Sequence, residues 1–108
     1  MEKKLKYGIL LQVYGELLTD RQREVISSYY DYDLSLAEIS QNLGISRQAV
    51  LDSIQNGCAS LDRYEEVLKI LDKNAVIKQK MNELRQNLIN KNKEELTEDI
   101  DRVISMLE

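Results

Sequence analysis

Apolar residues recur along this 108-residue chain at the three- and four-residue spacing of helices. Leu5, Ile9, Val13 and Leu17, joined by Leu10 and Tyr14, predict a first helix over about residues 4–18 with one apolar stripe. Thr19 stands three residues before Gln22, the capping-box spacing in which a hydroxyl and an amide satisfy the free N–H groups of a helix start. A second helix is therefore expected from Asp20 to about Tyr30. Asp31, Tyr32 and Asp33 make a polar connection, after which Ser35 and Glu38 repeat the capping box. Leu36, Ile39 and Leu43 give the short third helix one apolar face. Gly44 can end it in a left-handed conformation, Ile45 is a buried bridge, and Ser46 is a natural N-cap for a fourth helix. Val50, Ile54 and Leu61 continue the apolar side of that helix, whose later turns Gly57 weakens.

From Leu61 the spacing becomes that of a heptad. Leu61, Tyr64, Leu68, Leu71 and Ala75 follow it, then Ile77, Met81, Leu84 and Leu88 after a small phase shift, which predicts a long helix. Asn90 to Lys93 is a polar break, and Leu96, Ile100, Val103, Ile104 and Leu107 form a last amphipathic helix. The fold class is all-α, with an N-terminal helix and a helix-turn-helix domain over residues 1–64 and a helical extension over residues 65–108. That extension carries more apolar seam than packing a helix-turn-helix requires, so Leu68, Leu71, Ile77, Met81, Leu84 and Leu88 are read as a homodimer or partner-docking seam.

Composition narrows the chemistry. Proline is absent and only four glycines occur, which favours uninterrupted helices. With no histidine and a single cysteine, Cys58, neither an internal disulfide nor the common zinc ligand sets are available, and no metal or cofactor is expected. The missing His base and glycine-rich phosphate loop leave no catalytic residues to name, and the carboxylates read as solvated helix surface. No apolar run is long enough to span a bilayer. Gly8 to Leu18 is broken by Gln12, Tyr14, Gly15 and Glu16, unlike a signal-peptide core, so a soluble cytoplasmic protein is expected.

The segment from Ser35 to Val50, with Ile54 beyond it, places caps, glycine and apolar positions where a helix-turn-helix needs them. Together with Leu18-Thr-Asp-Arg-Gln-Arg-Glu-Val25 upstream, it resembles region 4 of bacterial sigma factors. Adding Ser46-Arg-Gln-Ala-Val50, Asp52, Ile54, Leu61, Tyr64, Glu65 and Glu66, the stretch from about Leu10 to Leu71 is more similar to the YlxM family. That resemblance implies a small bacterial helix-turn-helix protein linked to the signal recognition particle pathway, with a regulatory role and with the particle's GTPase or its RNA as partner. Similar proteins tend to carry basic residues where this chain has Gln55 and Asn56.

In a helix-turn-helix the start of the second helix faces the duplex, which here exposes Ser46, Arg47, Gln48, Leu51, Asp52 and Gln55. Arg can bond guanine and Gln adenine bidentately. Equally, Arg47 could pair with a nearby acid and Gln48 be merely solvated. From Thr19 to Tyr64 four arginines face seven acids, a net charge of −3, which removes much of the phosphate attraction that DNA binding relies on. DNA is therefore a weak candidate partner. The positive charge lies between Lys73 and Lys93, at +5, where Lys73, Lys78, Lys80 and Arg85 are candidate contacts for RNA or an acidic partner; residues 94–108 carry −5. The two segments either neutralise each other or leave the basic stripe for a partner. Tyr29, Tyr30 and Tyr32 are either packing residues or a base-stacking cluster.

Overall fold

The computed structural model describes residues 2–88 and 90–107, and among them every regular element is helical. α1 (Lys3–Tyr14) runs into a 3-10 turn over Gly15–Leu17. α2 (Asp20–Ile26), a π-helical turn over Ser27–Asp31, α3 (Leu36–Leu43), α4 (Arg47–Leu68), α5 (Ile70–Asn87) and α6 (Lys93–Leu107) follow. They form two compact units, one ending at Leu68 and the other beginning at Lys69. The junction expected after Tyr64 lies inside α4. No helix among the described residues is long and apolar enough to cross a membrane.

In the first unit α1, α2 and α3 all pack on α4. Leu10, Tyr14, Val25, Ile26, Ile39, Val50 and Leu61 are almost wholly removed from water, the burial that drives the assembly. The helix starts lie where the capping residues placed them. Thr19 Oγ1 accepts from Gln22 N at 3.1 Å while Gln22 Oε1 accepts from Thr19 N at 3.2 Å, and Ser35 and Glu38 exchange the same two bonds, both at 3.1 Å.

Four sequence expectations need correction or refinement. Of the stripe expected on α1, Leu10 and Tyr14 are buried, but the buried face is completed by Tyr7 and Leu11 and not by Leu5, Ile9, Val13 and Leu17; Leu5 and Leu17 remain 56% exposed. The tyrosines prevail because each buries a large ring and finds a carboxylate for its hydroxyl: Tyr7 donates to Asp62 at 2.8 Å and Tyr14 to Glu65 at 2.6 Å. Next, α2 stops at Ile26 instead of Tyr30. The chain widens into the π-turn, where Tyr32 N–H bonds Ser27 O at 3.2 Å and the Tyr30 ring lies 5.4 Å from that of Tyr7.

The third point concerns Gly57, which does not end α4 despite its low helix propensity: the helix runs through it to Leu68, and Gly57 is buried. A methyl there would collide with Ile26 Cδ1, so the glycine is what lets α2 approach α4. Finally, the long helix expected from Leu61 to Leu88 is two helices. Lys69 takes a left-handed conformation (φ 54°, ψ 33°) between α4 and α5, which costs a residue with a Cβ about 1–2 kcal/mol.

The second unit is the α5–α6 helical hairpin. Val103 is its one buried apolar residue among those described; Leu71, Ile77, Leu84 and Leu96 are half-buried. A single ion pair among the described residues, Lys91 to Asp99 at 2.8 Å, links the basic segment to the acidic one. The hydrogen bond from Lys91 holds the Asp99 carboxyl below the usual carboxylate range. Glu108, counted with the acidic segment, lies outside the described residues.

Candidate nucleic-acid interface

The turn between α3 and α4 is built from short-range bonds. Gly44, with φ 66° and ψ 32°, closes α3; no heavy atom lies within 4 Å of where its Cβ would stand, so the position requires glycine for its dihedral angles, not for space. Ile45 N–H bonds Ser40 O at 3.2 Å, and the Ser40 hydroxyl donates to the Ile45 carbonyl. Ser46 Oγ accepts from Ala49 N at 3.0 Å and so caps α4. Ile39, Val50 and Ile54 lock the two helices together, while Leu43 and Ile45 are half-buried, so the expected buried bridge at Ile45 is only partly covered.

This arrangement presents Ser46, Arg47, Gln48, Asp52 and Gln55 to solvent, with Leu51 half-buried among them. The Gln48 amide donates to Asp52 Oδ1 at 2.9 Å, one helical turn on, so the adenine-competent side chain is already held by an acid on the same face. Arg47 makes no ion pair among the described residues and stands ready for a phosphate or guanine. The next cation along α4 is Arg63, sixteen residues or about 24 Å further at 1.5 Å per residue. That is more than two Debye lengths at physiological salt, so the two do not act as one patch. Among the described residues the exposed start of α4 thus carries one cation without an ion pair, one acid and neutral amides.

Lys73, Lys78, Lys80 and Arg85 all lie exposed on α5, in the second unit. Lys80 approaches Glu83 at 3.6 Å and Arg85 donates to Asn82 at 3.1 Å. The seam residues are divided between the units: Leu68 ends α4, whereas Leu71, Ile77, Met81 and Leu84 lie on α5 and Leu88 at its C-cap. Of the three tyrosines weighed for base stacking, Tyr29 and Tyr30 are half-buried against each other, edge to face at 5.0 Å, and only Tyr32, 73% exposed, offers a free ring.

Sequence reasoning missed the group that fixes α1 against α4. Lys6 Nζ lies 3.0 Å from Asp62, which also takes the Tyr7 hydroxyl, and Tyr64 donates to Leu17 O at 3.3 Å. Its only trace in the sequence is a coincidence of spacing, Tyr7 and Tyr14 two helical turns apart and Asp62 and Glu65 one turn apart. Burial, reinforced by its bond to Asp62, pushes the Tyr7 phenol up to about 12. Tyr30 is also pushed up to about 12, chiefly by burial. Cys58, buried beside them, is pushed up to about 11 by burial and then by the charge of Asp62, which makes it a packing residue with an inert thiol.

Comparison with known proteins agrees with this geometry. Residues 1–101 match the family of YlxM / p13-like helix-turn-helix proteins. A UPF0122 protein of Exiguobacterium is 39% identical over 108 residues, covering 100% of this chain and 95% of its own. One of Fusobacterium nucleatum is 35% identical over 100 residues, 93% of this chain and 97% of its own. A third, from Clostridium kluyveri, is 47% identical over 72 residues; the match takes in 67% of this chain and 65% of that relative's length.

Proposed function

The chain belongs to the YlxM / p13-like helix-turn-helix family, and from that premise we propose that it is a non-enzymatic, cytoplasmic accessory protein of the signal recognition particle pathway. It acts by binding the particle's GTPase or its RNA. The pathway follows from the resemblance carried by residues Leu10 to Leu71. The observation that turns the reading away from promoter DNA is the state of the exposed start of α4, where Gln48 is bonded to Asp52 and Arg47 is, among the described residues, the one cation without an ion pair. Non-specific duplex binding draws nearly all its affinity from neutralised phosphates, and a module of net charge −3 supplies little of it. What the helix-turn-helix offers instead is a rigid exposed helix held by three others, a surface suited to a shaped protein or a folded RNA.

Titrating the purified chain against the particle's RNA, its GTPase subunit and random duplex DNA at physiological salt tests this. Saturable binding to the RNA or the GTPase, with duplex DNA at least tenfold weaker, is the expected result. Failure to bind either particle component removes the proposal. The second reading is a DNA-binding transcriptional regulator, favoured by Arg47, whose guanidinium is exposed at the helix start without an acidic partner among the described residues. It predicts sequence-selective, salt-sensitive duplex binding that is lost in Arg47→Ala and Gln48→Ala.

A further inference from the structure

We propose that the α5–α6 hairpin is a dimerisation unit: a second copy of this chain covers its apolar face, the basic α5 of each copy lying over the acidic α6 of the other. This is independent of what the helix-turn-helix binds.

The first ground is the size of the core. Two helices of 18 and 15 residues that bury one apolar side chain, Val103, fall far short of what a forty-residue unit needs to stand alone. The missing apolar surface is present but uncovered. Along α5 and its C-cap, Ile77, Met81, Leu84 and Leu88 recur at four-three-four spacing, the first and third half-buried, the second and fourth 50% and 58% exposed. On α6, Ile100, Ile104 and Leu107 recur at four-three spacing and are all exposed. An apolar cleft of about 200 Å³ opens between Val76, Ile77 and Met106. These are knobs and a hole without their counterparts.

The second ground is charge, and it selects the occupant. Among the described residues Lys73, Lys78 and Arg85 on α5 have no ion pair, and neither do Glu94, Glu95 and Asp101 on α6. RNA would suit α5 but be repelled by α6, and an acidic protein would meet the same conflict. A second copy brings both signs. Related by a two-fold axis, it sets α5 on α6 twice over, each cation row meeting an acid row. The hairpin face, two helices each about 10 Å across and at least about 22 Å long, offers roughly 440 Å² per copy, about 880 Å² for the pair, the size of a weak dimer that forms at micromolar concentration and not of a permanent one.

Light scattering on the full chain across a concentration series, with three variants, decides the matter. The parent is expected to show twice its 12.6 kDa chain mass at tens of micromolar. Met81→Glu with Ile104→Glu, both at exposed positions, should return it to one chain mass while the tyrosine spectrum of the first unit stays unchanged. Lys73→Glu with Lys78→Glu makes α5 acidic; Glu95→Lys with Asp101→Lys makes α6 basic. Each charge variant alone should associate at least tenfold more weakly than the parent, and an equimolar mixture of the two should regain the dimer, because only between chains does acidic α5 then meet basic α6. A parent of single-chain mass throughout, a dimer that survives the Met81 and Ile104 changes, or a mixture that associates no better than its components would each overturn the proposal.

Discussion

Gly57→Ala tests the packing that supports the reading helix. The added methyl points at Ile26 Cδ1, inside contact distance, and stands 3.4 Å from Gln22 Cβ. Ile26 is fully buried, so its end cannot swing into open space. Two effects oppose each other. Alanine in mid-helix gains about 1 kcal/mol over glycine, while forcing an extra carbon into a close-packed contact costs about 1–3 kcal/mol. The expected net is a loss of about 1 kcal/mol, or roughly 4–8 °C in Tm for a unit of this size. All six tyrosines lie at or before residue 64, so tyrosine fluorescence during urea or thermal unfolding reports this unit selectively. The decisive control is Ile26→Val, which removes the colliding methyl at a cost of its own of about 0.5–1.5 kcal/mol. In that background Gly57→Ala should become neutral or stabilising, a coupling of about 1 kcal/mol or more. If Gly57→Ala is as stable as the parent, or if the two changes simply add, α2 does not meet α4 through Gly57 and the reasoning fails.

Three further outcomes follow from the same contacts. Ser46→Ala should cost about 1 kcal/mol in the same unfolding assay, because the Ala49 N–H at the start of α4 loses its acceptor, and Ser46→Gly should cost only a few tenths. Tyr7 and Tyr30 are raised to about 12, so the folded state favours their neutral forms: their stabilisation is complete below about pH 10 and is lost as the pH rises through 12, which spectrophotometric titration of phenolate absorbance against urea midpoints will show. Cys58, raised to about 11, should react with a thiol-specific disulfide reagent at pH 7 on the order of a hundredfold more slowly than free cysteine, with normal reactivity restored in urea.

What the sequence disclosed was what depends on near neighbours. Both capping boxes, Gly44 and Ser46 are local devices, and each stands in the structure where three- and four-residue spacing put it. On α1 Leu10 and Tyr14 were legible, but Tyr7 was passed over for Leu5, Val13 and Leu17, which outrank tyrosine as apolar residues, whereas the choice is made by Asp62 and Glu65, about fifty positions away. The break at Lys69 has no proline or glycine to announce it, and the heptad spacing passes straight through. At the reading face the exposure of Arg47, Gln48 and Asp52 was legible from helix geometry. The bond between Gln48 and Asp52, though a four-residue pair, became significant only once both proved to be exposed together.

The helix-turn-helix exposes Arg47, Gln48 and Asp52 at the start of α4 within a segment of net charge −3, and the proposed function turns on whether that face reads a promoter. Selection of bound sequences from a randomised duplex pool by the full-length chain at physiological salt tests that most directly. No consensus is expected to emerge, and Arg47→Ala is expected to leave the weak duplex binding little changed. Enrichment of a defined motif, abolished by Arg47→Ala, would contradict the proposed function.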